Sequence, residues 1–142
     1  MKPLASLFLA LGLAFAGCVT PSANGAMLEG TNWSLVEING QPVPPDGNTR
    51  HPSMRFDLAA RRVSGYAGVN GFGGSYTLSG SHLEVGPLMS TKMAGAPEFM
   101  RIEGEFLATL EKVRRWRLDG GLLELVTEDG KSVRFARIPD NA

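Results

Sequence analysis

The sequence predicts an α+β domain: a mainly antiparallel, curling sheet of about eight short strands with one amphipathic helix, over about residues 97–113, packed on it. Three observations predict it. Glycine (18) and proline (9) are abundant in 142 residues while Trp, Tyr and Phe number 2, 2 and 7, which favours short strands and turns over a helical bundle. Several runs alternate apolar and polar residues with period two and end at Asn-Gly, Asp-Gly or Gly-Gly steps. A single stretch, after Ala96-Pro97-Glu98, carries apolar residues at helical spacing.

The chain opens with Met1-Lys2 and an apolar run from Leu4 to Phe15, of signal-peptide length and too short to cross a bilayer comfortably. Residues 1–17 are therefore expected to be a targeting segment outside the fold. Phe15-Ala16-Gly17-Cys18 resembles a bacterial lipobox, in which the cysteine is lipidated and becomes the new N-terminus. Cys18 is the only cysteine, so it forms no internal disulfide and the chain has no thiolate-rich zinc site. The alternative is ordinary cleavage after Ala16, leaving Cys18 as a free thiol. Val19 lacks an acidic retention signal, so an anchored product is expected on the outer membrane of a Gram-negative envelope, facing the periplasm. Residues 18–27 then form the lipidated N-terminus and a flexible tether, its coil part reaching roughly 16 Å. Residues 28–138 form the domain, expected to be monomeric, and 139–142 a short tail. Without Lys2 there are 13 basic against 14 acidic side chains, which disfavours a nucleic-acid partner.

Asn32 to Ile38, with Trp33, Leu35, Val36 and Ile38, reads as a first strand closed by an Asn39-Gly40 turn, and Trp33 as a core anchor. Gln41 to Ser53 holds four prolines and cannot sustain a ladder; it is expected to be a long loop with His51 solvated in it. Met54, Phe56 and Leu58 alternate with Arg55 and Asp57 as a half-buried strand. Between Arg61 and Leu78 lies a glycine-dense hairpin whose turn is expected at Asn70-Gly71, with Phe72, Gly74, Tyr76 and Leu78 on one face of its second arm. Glycines inside those arms permit bending or close approach of another backbone. His82 to Val85 is a short strand with Leu83 and Val85 inward and His82 and Glu84 outward. Phe99, Ile102, Phe106, Leu110 and Val113, widened by Leu107, form the helix stripe, and Gly104 between Glu103 and Glu105 is expected at a solvent-facing or tightly approached spot. Arg115–Asp119, Leu122–Thr127 and Ser132–Arg137 complete a meander through Gly120-Gly121 and Asp129-Gly130 turns.

The order of these features resembles the META domain family, including its HslJ-like bacterial envelope lipoproteins. The resemblance covers roughly Leu28 to Arg137. It rests on Gly30-Thr31-Asn32-Trp33, Asn39-Gly40-Gln41-Pro42, Val63 to Asn70 with Phe72 to Tyr76, Gly86-Pro87-Leu88, Thr91-Lys92-Met93-Ala94 and Glu105-Phe106-Leu107. It implies an antiparallel, barrel-like curved sheet with one main helix and no catalytic residue set. Asn70, Thr91 and Lys92 are family-matched polar positions, candidates for binding or for a structural role. Many relatives carry cysteines where this chain has Val69 and Gly95, which implies that these two positions lie within bridging distance.

Reactive groups are present at His51, Ser75, His82, Ser90, Thr91 and Lys92, yet no Ser-x-x-Lys, Gly-x-Ser-x-Gly or His-Glu-x-x-His pattern organises them. The reading is a non-enzymatic envelope module without cofactor or metal, anchored by Cys18, that serves stress tolerance or interaction with an envelope protein. The alternative is a small-molecule or lipid binder using the mouth or interior of the curled sheet.

Overall fold

In the computed structural model the residues described are 28–44 and 50–140. The expected signal segment, Cys18 and the tether lie outside them.

Ten strands are described: β1 (Asn32–Ile38), β2 (Gln41–Pro42), β3 (Ser53–Asp57), β4 (Arg62–Tyr66), β5 (Gly71–Ser79), β6 (His82–Val85), β7 (Met89–Ser90), β8 (Val113–Asp119), β9 (Leu122–Thr127) and β10 (Ser132–Ile138). Helix α1 spans Pro97–Leu110. Eight strands pair antiparallel in the order β10-β9-β8-β6-β5-β4-β3-β1, and β1 returns to β10, closing a barrel. The two-residue strands β2 and β7 are additions, on β1 and β5. Closure removes the unpaired edges that an open sheet of this size would expose.

Alternation dictates the inside. Trp33, Leu35, Met54, Phe56, Val63, Phe72, Tyr76, Leu83, Leu123, Leu125, Val133 and Phe135 all point inward and are at most 6% exposed. Phe106 of α1 completes this interior, its ring 5.5 Å from Phe72 and 5.7 Å from Phe135, while Phe56 and Tyr76 meet edge to face at 5.0 Å. The indole of Trp33 donates to the Leu28 carbonyl (3.1 Å), as expected of a core anchor. Tyr76 is buried but keeps its polar tip satisfied: its hydroxyl donates to Glu29 Oε1 at 2.5 Å. Burial, with the Glu29 carboxylate beside it, pushes the phenol well above its ordinary pKa.

Five expectations need correction. The helix ends at Leu110, not 113. A bulge between Val113 and Arg115 puts the inward residues Val113 and Trp116 three apart, so the start of β8 imitates helical spacing. The turn of the glycine-dense hairpin is not Asn70-Gly71: Tyr66 pairs with Gly71, and the chain reverses through Ala67–Asn70 with positive φ only at Gly68 (137°). Within Gln41 to Ser53, Gln41 and Pro42 do pair with Ile38 and Glu37, because Asn39 and Gly40, both at positive φ, fold a tight hairpin. His51 is half-buried and donates from Nε2 to the Leu35 carbonyl at 2.6 Å, so it belongs to the wall of the domain. Leu58 falls just past the end of β3 and is 53% exposed.

Candidate functional site

The chain reversal Ala67–Asn70 carries backbone N–H groups that no strand partner can meet, and the structure satisfies them from a distant element. Glu103, on α1, directs Oε2 at the amides of Val69 (2.9 Å) and Asn70 (2.6 Å), and Oε1 accepts from Asn70 Nδ2 (2.7 Å). Asn70 Nδ2 also donates to the Met93 carbonyl at 3.1 Å. Its Oδ1 receives the Thr91 hydroxyl at 2.9 Å and the Met93 amide at 2.7 Å. Asn70 thereby uses every hydrogen-bonding group of its side chain, clamped between α1 and the segment after β7. Tyr66 closes the turn by donating to the Gly68 carbonyl (2.9 Å). Asn70 and Glu103 are 2% and 7% exposed. The arrangement is a fully paired polar latch holding a loop, a helix and an extended segment together.

Of the family-matched candidates, Asn70 and Thr91 therefore meet, in a structural role, and Lys92 does not join them. Lys92 stands exposed and donates to Ser90 Oγ at 3.3 Å. Glu103 was missed because it borders Gly104, whose own position is open to solvent. The signal was nonetheless present: Glu103 lies four residues after Phe99 and three before Phe106, on the apolar stripe itself.

Val69 and Gly95 adjoin the latch. A Cβ built on Gly95 would stand 3.3 Å from Val69 Cβ, close to the Cβ separation of a disulfide. Bridging proximity is therefore present, with valine and glycine in place of two thiols. In this chain the Val69 methyls occupy the space: they would lie 2.5 and 2.9 Å from that Cβ, so glycine at 95 and valine at 69 are matched to each other.

The remaining reactive groups are dispersed. His82 is exposed and faces Glu84 at 3.0 Å, pointing outward as expected. Among the described residues no three His, Cys, Asp or Glu side chains come together as a metal site, and no helix is long and apolar enough to cross a membrane.

A second buried carboxylate lies on the outer face of β8, β9 and β10. Glu124, 5% exposed, accepts from Arg117 Nε in a short contact and from Arg134 Nε at 3.3 Å. Burial would raise its pKa, but the Arg117 hydrogen bond and charge, reinforced by Arg134, hold it below the usual carboxylate value.

A closed eight-stranded barrel with a packed interior and one helix latched across it defines a small β-barrel domain. The META domain pattern matches residues 26–140, and the chain belongs to that family. None of the curated proteins matches it. Among solved structures it is similar to a protein from Burkholderia xenovorans determined by NMR, with 24% identity, 92% of this chain and 99% of that one covered, and a TM-score of 0.68. A second NMR structure shares 25% identity over 77% of this chain and 91% of its own, with a TM-score of 0.61. A DUF4847 family protein from Bacteroides vulgatus, 16% identical over 78% of this chain and 94% of its own, aligns with a TM-score of 0.58 and shares the fold.

Proposed function

We propose that this chain is a non-enzymatic lipoprotein, anchored in the outer membrane through Cys18 and facing the periplasm, where it supports envelope stress tolerance by contact with another envelope protein. The observation that carries this reading is the interior: Phe56, Phe72, Tyr76, Phe106 and Phe135 fill the space where a ligand-holding barrel keeps its cavity. A domain with a filled lumen works through its outer surface. The anchor is supported by the sequence alone, since the one cysteine falls directly after the small residues that end an apolar export segment. Two or more acyl chains on Cys18 give stable attachment, whereas one binds marginally.

Metabolic labelling with an alkynyl palmitate, followed by separation of inner and outer membranes, tests the anchor. Label and outer-membrane recovery are expected for the native chain and lost in Cys18→Ala. An unlabelled native chain recovered in the soluble periplasm would overturn it. Cross-linking in cells, comparing the two forms, tests the partner: one specific envelope protein is expected with the anchored form. Turnover of an envelope substrate that disappears on a point substitution would overturn the non-enzymatic reading.

A further inference from the structure

The outer face of β3, β4 and β5 carries a trough that neither the latch nor the filled barrel uses. Because Met54, Phe56 and Val63 point inward, Ser53, Arg55 and Ser64 point outward. Register sets them in a row: Asn32 lies opposite Arg55, Arg55 opposite Ser64 and Ser64 opposite Gly73, three strand spacings or roughly 14 Å. Two adjoining hollows of about 550 and 440 Å³ follow this row and share Arg50, Ser64 and Gly65. Glycine forms the shared floor for a steric reason: a Cβ at position 65 would lie 2.0 Å from the Ser53 carbonyl oxygen. Arg50 is placed by its stacking over Tyr66, 5.1 Å from the ring centroid. Arg55 forms no ion pair among the described residues.

The two halves differ in chemistry. One is polar, with the Arg50 and Arg55 guanidiniums, the Ser53 and Ser64 hydroxyls and the Asn32 amide around one space, and a single carboxylate, Asp140, in its lining. The other half is walled by the 78% exposed Met89, with Gly71, Ser90 and Thr91 beside it. The geometry points to a binding site for the phosphate head of an amphiphile: phosphate oxygens in the arginine half, the first carbons of an apolar chain along Met89. Two planar guanidiniums and two hydroxyls match a tetrahedral anion that offers several acceptor oxygens. A neutral ligand would leave the excess of two guanidiniums over one carboxylate uncompensated. The site does not depend on the anchor at Cys18, and its phosphate can come from a bilayer lipid or from a soluble phosphate ester.

The test titrates the exported chain carrying Cys18→Ala, so that no acyl group of its own competes, with hexyl phosphate, inorganic phosphate and hexanol, followed by amide chemical shifts. Hexyl phosphate is expected to bind tighter than either half-ligand, with shifts at Ser64, Gly71 and Ser90. Arg55→Ala is expected to weaken it about tenfold, the loss of one charge-assisted contact. Asp140→Asn is expected to tighten it. Gly71→Val fills the trough at a position where an added Cβ meets only the Gly65 carbonyl oxygen at 3.7 Å, so it should abolish binding without altering the melting temperature. Vesicles of phosphatidylglycerol and of phosphatidylcholine separate the sources. Retention that falls in Arg55→Ala assigns the head to a bilayer lipid, and no retention on either, with hexyl phosphate still bound, assigns it to a soluble ester. Equal affinity for hexanol and hexyl phosphate, or unchanged affinity in both Arg55→Ala and Gly71→Val, overturns the proposal.

Discussion

Glu103 and Glu124 are both almost wholly buried carboxylates, 7% and 5% exposed, yet they are held in opposite ways. Glu103 accepts three N–H bonds from neutral groups, two of them backbone amides of a chain reversal. Glu124 is held by Arg117 and Arg134, whose side chains are 62% and 34% exposed. The difference lies in what is left behind when the carboxylate goes. The arginines can turn to water. The Val69 and Asn70 amides cannot, because α1 covers them. The latch should therefore dominate stability although it contains no ion pair, and the ion-paired cluster should contribute little.

The largest effect is expected for Glu103→Ala. Three donors lose their acceptor, each costing about 1–3 kcal/mol when buried, partly relieved by entering water, for a total of about 4 kcal/mol. Urea denaturation measures it directly. Gln at 103 should recover only part of the loss, since its amide nitrogen presents donors to donors. A loss below that of Glu124→Ala would invert the comparison.

The next effect uses the matched pair beside the latch. Cysteines at 69 and 95 should form a disulfide on oxidation, enclosing 26 residue steps and adding about 3.5 kcal/mol by chain entropy. The oxidised protein should also tolerate Glu103→Ala better than the reduced one, because the bridge ties the same loop to the same segment. Free thiols persisting under oxidant would show that the 3.3 Å approach is not held in solution. A smaller effect follows from the same contact. Gly95→Ala alone should cost about 1–2 kcal/mol by overpacking against the Val69 methyls, and Val69→Ala should remove most of that cost, leaving a clear coupling in the double-mutant cycle.

How much of this was legible in the sequence depends on how local the cause is. Strands such as Leu122–Thr127 and the Asn39-Gly40 turn follow from alternation and positive φ within a few residues, and they appear where expected. Asn70-Gly71 carried the same local signature but serves another purpose. Asn70 is consumed by contacts 21 to 33 residues away, and no window of sequence reports that Glu103 will bring acceptors to it. The helix end was misread because a bulge at Val113 reproduces the helical interval by a different route. Closure of the barrel by β1 and β10 is also non-local, and only the family resemblance implied it. The trough across β3, β4 and β5 was not foreseen, because Ser53, Arg55 and Ser64 become neighbours only through strand register.

The smallest effect belongs to Glu124, and acid sharpens it. Glu124→Ala should cost about 1 kcal/mol or less at neutral pH, because exposed arginine partners gain little from the pairing. The pKa of Glu124 is lowered in the folded state, against its own burial, by Arg117 and Arg134. In the unfolded chain its carboxyl returns to about 4.3. The unfolded state then binds the proton first as pH falls, so the contribution of Glu124 is complete above about pH 5 and fades as pH drops through the lowered folded value. Native and Glu124→Gln proteins should accordingly differ by a constant amount from pH 8 to 5 and converge below it. Urea midpoints measured at pH 7, 5, 4 and 3 decide the matter: a gap that widens with acid would mean that the arginines do not hold this carboxylate in its charged form.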